Sequence, residues 1–262
     1  MNVKGTTSVG RICITIVLIG VGWTTLANAP PALADWQPGD GHKMHYPQLP
    51  DPDGWDVRAT YYVGVADDWQ CSETGLVTDF HIWFSWQDDL ADEVEFYHTA
   101  IYTDDRSDAN FSRPGTQVWH RDWYPADVDF PIATHWGTGD QGWYDPALGL
   151  FEPNDHEDIW QLNFFIDPLD AFYQEKDTIY WLEISAKFPL ASSALLGWKT
   201  SESDQFEDDA VWREIGPPVA WHEITDPETG LSLDMAFVIT PEPATLGLLA
   251  LGGLALLYRR RA

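Results

Sequence analysis

The sequence predicts an all-β domain, an antiparallel β-sandwich of jelly-roll-like or immunoglobulin-like arrangement, set between two apolar end segments. Three observations carry that expectation. Apolar residues alternate with period two over several stretches, the pattern of strands that lay one face on a core. No stretch before the C-terminal tail keeps a helical period for more than two turns. The gaps are filled with turn-forming residues, as in Asp51-Pro52-Asp53-Gly54, Gly137-Thr138-Gly139-Asp140 and Asp226-Pro227-Glu228-Thr229-Gly230.

Each strand has its own evidence. Val57, Ala59, Tyr61, Val63 and Val65 fall on one face of the first. Phe80, Ile82, Phe84 and Trp86 alternate with Asp79, His81, Trp83 and Ser85 in the second. Residues 94–103 hold strand-forming aromatics without a clean polar face. Trp160, Leu162, Phe164 and Ile166 mark another strand, and Tyr180, Leu182 and Ile184 the next. The cleanest alternation sets Leu231, Leu233, Met235, Phe237 and Ile239 against Ser232, Asp234, Ala236 and Val238. Shorter candidates cover 117–120, 195–200, 210–213 and 220–224. Residues 125–158 read as long Pro- and Asp-rich loops at one end of the sandwich. Residues 35–54 read as an extended strip over the domain, or a partly unstructured one, ahead of a single sandwich over 55–240.

The ends carry addresses. Lys4 and Arg11 precede an apolar run from Ile12 to Val21, and small residues follow it in Ala32-Leu33-Ala34. This order is that of a cleaved secretory signal over 1–34, a helix handled by the Sec machinery. At the other end Pro241-Glu242-Pro243 leads into an apolar stretch, and Arg259, Arg260 and Arg261 close it. The prolines keep the motif extended, and the arginines hold the cytoplasmic side. That tail, 241–262, resembles the PEP-CTERM sorting signal of exosortase substrates. The resemblance implies an exported protein, held transiently in the membrane by one short transmembrane helix and delivered to the cell envelope, cell surface or extracellular matrix. The apolar stretch is shorter than the roughly twenty residues of a comfortable span, as suits a transient signal.

The chain is acidic, with 42 Asp and Glu against 14 Lys and Arg. Five of those basic residues lie in the two end segments, so the middle is more acidic still. Such a surface repels nucleic acid and attracts cations, which excludes a nucleic-acid partner. Fifteen tryptophans supply ample material for a core, against disorder. With Cys13 in the signal, Cys71 has no partner for an internal disulfide and reads as a small buried apolar residue.

Four phrases support a second resemblance: Ala66-Asp67-Asp68-Trp69-Gln70-Cys71, Thr78-Asp79-Phe80-His81-Ile82-Trp83, Gly197-Trp198-Lys199-Thr200-Ser201 and Asp208-Asp209-Ala210-Val211-Trp212. They are similar to an uncharacterised ectodomain family found on bacterial PEP-CTERM proteins. That resemblance covers most of residues 55–240 and implies a common all-β domain without implying an activity.

Two site chemistries are expected. Asp67 and Asp68, with Asp208 and Asp209, form paired carboxylates at strand ends, where a structural Ca²⁺ finds its oxygen ligands. Trp119, Trp123, Trp136 and Trp143 lie in or beside the long-loop region, where an exposed indole offers a flat face to a sugar of an extracellular polysaccharide. No Gly-x-Ser-x-Gly elbow, His-Glu-x-x-His helix or Gly-rich phosphate loop is present, so no catalytic residue is assigned. A structural or adhesive envelope protein is the expectation; a carbohydrate-binding module is the alternative, and a polysaccharide-active enzyme comes behind both.

Overall fold

The computed structural model describes residues 35–108, 111–202 and 206–240. The signal expected over 1–34 and the sorting tail over 241–262, and the helix expected in each, lie outside those residues. No helix among the described residues is long and apolar enough to cross a membrane.

The strands in chain order are β1 (Trp55–Arg58), β2 (Val63–Gln70), β3 (Gly75–Val77), β4 (Asp79–Trp86), β5 (Phe96–Asp105), β6 (Arg113–Trp123) and β7 (Ile132–Asp145). They continue as β8 (Leu150–Phe165), β9 (Phe172–Gln174), β10 (Ile179–Lys187), β11 (Leu196–Lys199), β12 (Val211–Glu214), β13 (His222–Glu223) and β14 (Phe237–Ile239). One six-stranded sheet has the order β11-β1-β7-β8-β4-β14, the other β13-β12-β2-β10-β5-β6, and β3 pairs β9 apart from both. The pairings are antiparallel except β1 with β7. In the first sheet β11 bonds both β1 and β4, which curls that sheet toward closure. The fold is all-β and sandwich-like, as the alternating pattern requires.

The inner faces meet in a core that includes Val65, Trp69, Phe80, Ile82, Phe84, Leu162, Phe164, Leu182, Ile184, Trp198 and Phe237. Each buried Phe stabilises by roughly 1.5–3 kcal/mol relative to exposure. Residues 35–54 form the extended strip and not the unstructured one. Lys43 N bonds Ile239 O, Gln48 N bonds Phe237 O, and Met44 is fully buried. Cys71 is buried and free, and burial pushes its thiol up to about 12.

Two strand expectations and one loop expectation differ from the structure. The run 57–65 is two strands in different sheets, because Val63 N bonds Thr60 O in a turn that leaves Tyr62 exposed. In the segment 231–239 only β14 is a strand, and Leu231 is 68% exposed although its alternation is the cleanest in the sequence. Residues 125–158 are mostly the hairpin β7–β8, with strands of 14 and 16 residues. Its pairing shifts at His135/Gly137, Thr138/Gln141 and Gln141/Trp143, and no residue is buried over 132–140 of β7 or 150–154 of β8. Without a buried face there is no hydrophobic period to read.

Candidate functional site

The outer face of the second sheet, turned away from the main core, holds the chemistry. Strand alternation puts Ala66 and Asp68 of β2, Trp181 and Glu183 of β10 and Tyr102 and Asp104 of β5 on this side. Asp68 pairs with Trp181, which pairs with Tyr102. Ala66, Ala100, Tyr102, Trp181, Val211 and Trp221 pack there as a second small core, with Phe111 against it.

At one end of this face lies a buried acidic group. Asp68 is fully buried, and neither carboxylate oxygen has a hydrogen-bond partner among the described residues. Burial, then the charges of Asp67, Asp234, Asp104 and Asp208, hold its pKa well above the usual carboxylate range. Asp234 resembles it. Its Oδ2 accepts Phe206 N at 2.7 Å, while its buried Oδ1 has no partner among the described residues. Burial, reinforced by Asp209 and Asp208 and opposed by the Phe206 bond, raises it to about 7.

Only part of the expected cation set comes together here. Asp67 and Asp68 are adjacent in a strand, so they point to opposite faces. Asp67 is on the inner side, where its oxygens accept Gln48 Nε2 at 2.8 Å, Met235 N at 2.7 Å and Asp68 N at 2.8 Å. Asp208 Oδ2 accepts Ser112 N at 3.0 Å, and burial raises Asp209. Among the described residues no three His, Cys, Asp or Glu side chains are gathered tightly enough to hold a metal ion. Asp234 is the residue the sequence reading missed. It reads there as the solvent side of an alternating strand.

Further along the same face, Glu183 accepts Arg213 Nε at 2.7 Å and Arg213 Nη2 at 2.9 Å, and Tyr102 donates its hydroxyl to Glu183 as well. Burial alone would lower Arg213, but the Glu183 carboxylate raises it. Burial first, then the charge of Glu183, raises Tyr102. The arrangement depends on Gly64, where an added Cβ would lie 2.2 Å from Glu183 Oε1. Above it opens a cavity of about 570 Å³ lined by Tyr102, Arg113, Gln117, Arg213, Val219 and Trp221, among others. The Arg213 guanidinium lies 5.0 Å from the Trp221 ring centre. Among the described residues Arg113 meets Asp105 at 3.3 Å and Asp108 at 3.4 Å, and lies 5.9 Å from the Phe111 ring centre.

The tryptophans expected to stack on sugar are elsewhere. Trp123 and Trp143 are buried, which removes their faces from any ligand. Trp123 donates Nε1 to Thr99 Oγ1 at 2.9 Å. Trp119 and Trp136 are half-buried against the core. Trp119 donates Nε1 to Asp170 O at 2.7 Å, and Trp136 meets Trp83 edge to face. Trp221, Arg213, Arg113 and Gln117, which no sequence pattern singled out, line the cavity instead.

A second ionic network lies within the first sheet. The Oδ2 of Asp56 meets His156 Nε2 at 3.0 Å and Lys199 Nζ at 3.1 Å, and His156 Nδ1 meets Asp155 Oδ2 at 2.9 Å. All four side chains are fully buried. Burial works against charge on His156, but the bond to Asp56, its charge and the bond to Asp155 win, and the pKa rises. A His raised in the folded state contributes stability that is fully present below its unfolded value near 6.5 and lost as pH climbs through the folded value. Urea unfolding of wild type and His156→Gln from about pH 5.5 to 8.5 is expected to show the widest gap at the acid end, closing above about pH 6.5. A gap that widened with pH would contradict this assignment.

The domain-of-unknown-function model DUF7901 matches residues 44–240, and the PEP-CTERM protein-sorting motif matches residues 240–261. No curated protein and no solved structure matches the chain. The sorting motif makes this an exported, exosortase-processed protein of the cell envelope. The matched span covers the whole sandwich and both sites on its second sheet, and the chain belongs to the DUF7901 family, carried on a PEP-CTERM sorting tail.

Proposed function

We propose that the protein is a structural or adhesive component of the envelope or extracellular matrix, calcium-stabilised, which reaches its place by Sec export and holds extracellular polysaccharide without cleaving it. The observation that carries the adhesive part is the cavity on the outer face of the second sheet. Guanidinium groups of Arg113 and Arg213, the Gln117 amide and the Tyr102 hydroxyl converge there around one aromatic wall. Sugar hydroxyls are bound by such a mixture of planar donors and apolar surface. The family match places no activity on the domain, so the ligand class rests on this chemistry alone.

The state of Glu183 supports binding without hydrolysis. Glycoside cleavage needs a carboxyl group free to give or take a proton beside the scissile bond. Glu183 lies under the cavity with both oxygens held by Arg213. Such a group orients its neighbours and does not shuttle protons.

The test is retention of the full chain on columns of insoluble neutral and uronate-bearing polysaccharides, with reducing ends assayed in the eluate. Arg113→Ala and Gln117→Ala are each expected to weaken retention roughly 5- to 30-fold, the worth of one or two hydrogen bonds. Trp119→Ala and Trp136→Ala are expected to leave it unchanged. No retention on any column would end the adhesive reading, and release of reducing ends would replace it with an enzyme.

A further inference from the structure

We infer that Asp68 and Asp234 hold one calcium ion on the outer face of the second sheet, with Asp208 brought in from the adjoining loop. This names the site behind the calcium part of the proposed function and is independent of the polysaccharide part, since the two sites share no residue.

The case begins with oxygen atoms. Both carboxylate oxygens of Asp68 and one of Asp234 are buried without a donor among the described residues. Native proteins pair buried polar atoms almost without exception, and a buried carboxylate facing neither donor nor cation is among the costliest arrangements. Here three such oxygens belong to two acids that repel each other, with Asp104 and Asp208 adding to the repulsion on Asp68. A cation removes every part of that cost at once.

The neighbours divide by what they already hold. Asp67 has hydrogen bonds at both oxygens and stays a structural hub. Asp104 accepts Trp181 Nε1 at 2.9 Å and Arg106 Nε at 2.5 Å, so its charge is met. Among the described residues Asp208 is tied through Oδ2 to Ser112 N. It lies next to residues 206–207, whose chain is fixed to Asp234 by the Phe206 bond. No three acids are already at chelating distance among the described residues, so binding requires Asp208 to close inward. Calcium accepts six to eight oxygens at about 2.3–2.6 Å in irregular geometry and takes backbone carbonyls and water to fill its shell. Magnesium demands a near-ideal octahedron and parts with water reluctantly, which makes it the poorer fit to such a site.

The experiment uses the full chain in detergent at neutral pH. Melting is followed in EDTA, then with Ca²⁺ or Mg²⁺ added, and Tb³⁺ luminescence is excited through the tryptophans. Trp181, bonded to Asp104, is the cross-strand partner of Asp68. Ca²⁺ at about a hundred times its Kd is expected to raise Tm by about 5–10 °C, Mg²⁺ by clearly less, and Tb³⁺ emission is expected to be displaced by Ca²⁺. Asp68→Asn should lose the rise and the emission, yet in EDTA melt at or above wild type, because a buried charge has been removed. Asp53→Asn, in an exposed acidic turn, should keep both. If Asp68→Asn does not fold, Asp234→Asn is read in the same way. A wild type that melts identically in EDTA and Ca²⁺ would overturn the site, leaving a proton shared between the two acids. So would an Asp68→Asn variant that keeps the full calcium shift.

Discussion

Asp56→Ala is expected to destabilise the domain by about 3–5 kcal/mol, the usual loss when one partner of a buried ion pair is removed. Two nitrogen groups depend on this carboxylate. His156 Nε2 and Lys199 Nζ both meet its Oδ2, and none of the three side chains is exposed. Strand register delivers the pair, since Asp56 of β1 lies opposite Lys199 of β11. Gly197 lets the strands close there, because an added Cβ would come within 2.8 Å of Asp56 Cβ and 2.7 Å of the Trp143 ring. Truncation leaves Lys199 with only Gly54 O and His156 with only Asp155. For a domain of this size the loss corresponds to a fall in Tm of about 6–20 °C. Asp56→Asn keeps the shape and an acceptor oxygen but not the charge, so it should fall between the two. Thermal melting of the three proteins side by side decides the matter. An Asp56→Ala variant within about 1 kcal/mol of wild type would mean that water already solvates the network.

That network shows where sequence reading ends. Asp56, His156 and Lys199 are a hundred and more residues apart in places, and each belongs to a strand whose core face alone was legible. Residues 80, 82 and 84 alternate clearly because their inner face meets the other sheet. The intervening His81 and Ser85 were read as a polar face, yet both are buried, His81 on Asn163 and Ser85 on Gln141. A strand covered on both sides with polar residues on one of them looks like a half-exposed strand. The hairpin β7–β8 fails for the opposite reason, since residues 132–140 and 150–154 have no buried side chain to impose a period. The acidic site was half legible. Asp68 and Asp208 stand in conspicuous pairs, but period-two alternation separates Asp67 from Asp68, and Asp234 stands alone in the sequence. The cavity was not legible at all, because Arg113, Gln117, Arg213 and Trp221 meet only through strand order.

Glu183→Ala should cost about 3–5 kcal/mol and abolish polysaccharide retention together, and the coupling of the two effects is the informative part. Glu183 is fully buried between Arg213 and the Tyr102 hydroxyl, with the backbone of Gly64 pressed close to its carboxylate. Removing it frees a guanidinium whose side chain is only 12% exposed and leaves the Tyr102 hydroxyl with the longer contact to Gln117 Oε1 at 3.3 Å. Both residues line the cavity, so stability and binding geometry rest on one carboxylate. Glu183→Gln separates them. It keeps the volume and one acceptor, so the fold should lose about 1–3 kcal/mol, while Arg213 loses its bidentate partner and its fixed plane. A double-mutant cycle with Arg213→Met measures the pair itself, and a coupling of about 1 kcal/mol or more is expected. If Glu183→Gln bound polysaccharide as wild type does, Arg213 would be a structural residue alone. The ligand would then be held by Arg113 and Gln117 on the exposed side of the cavity.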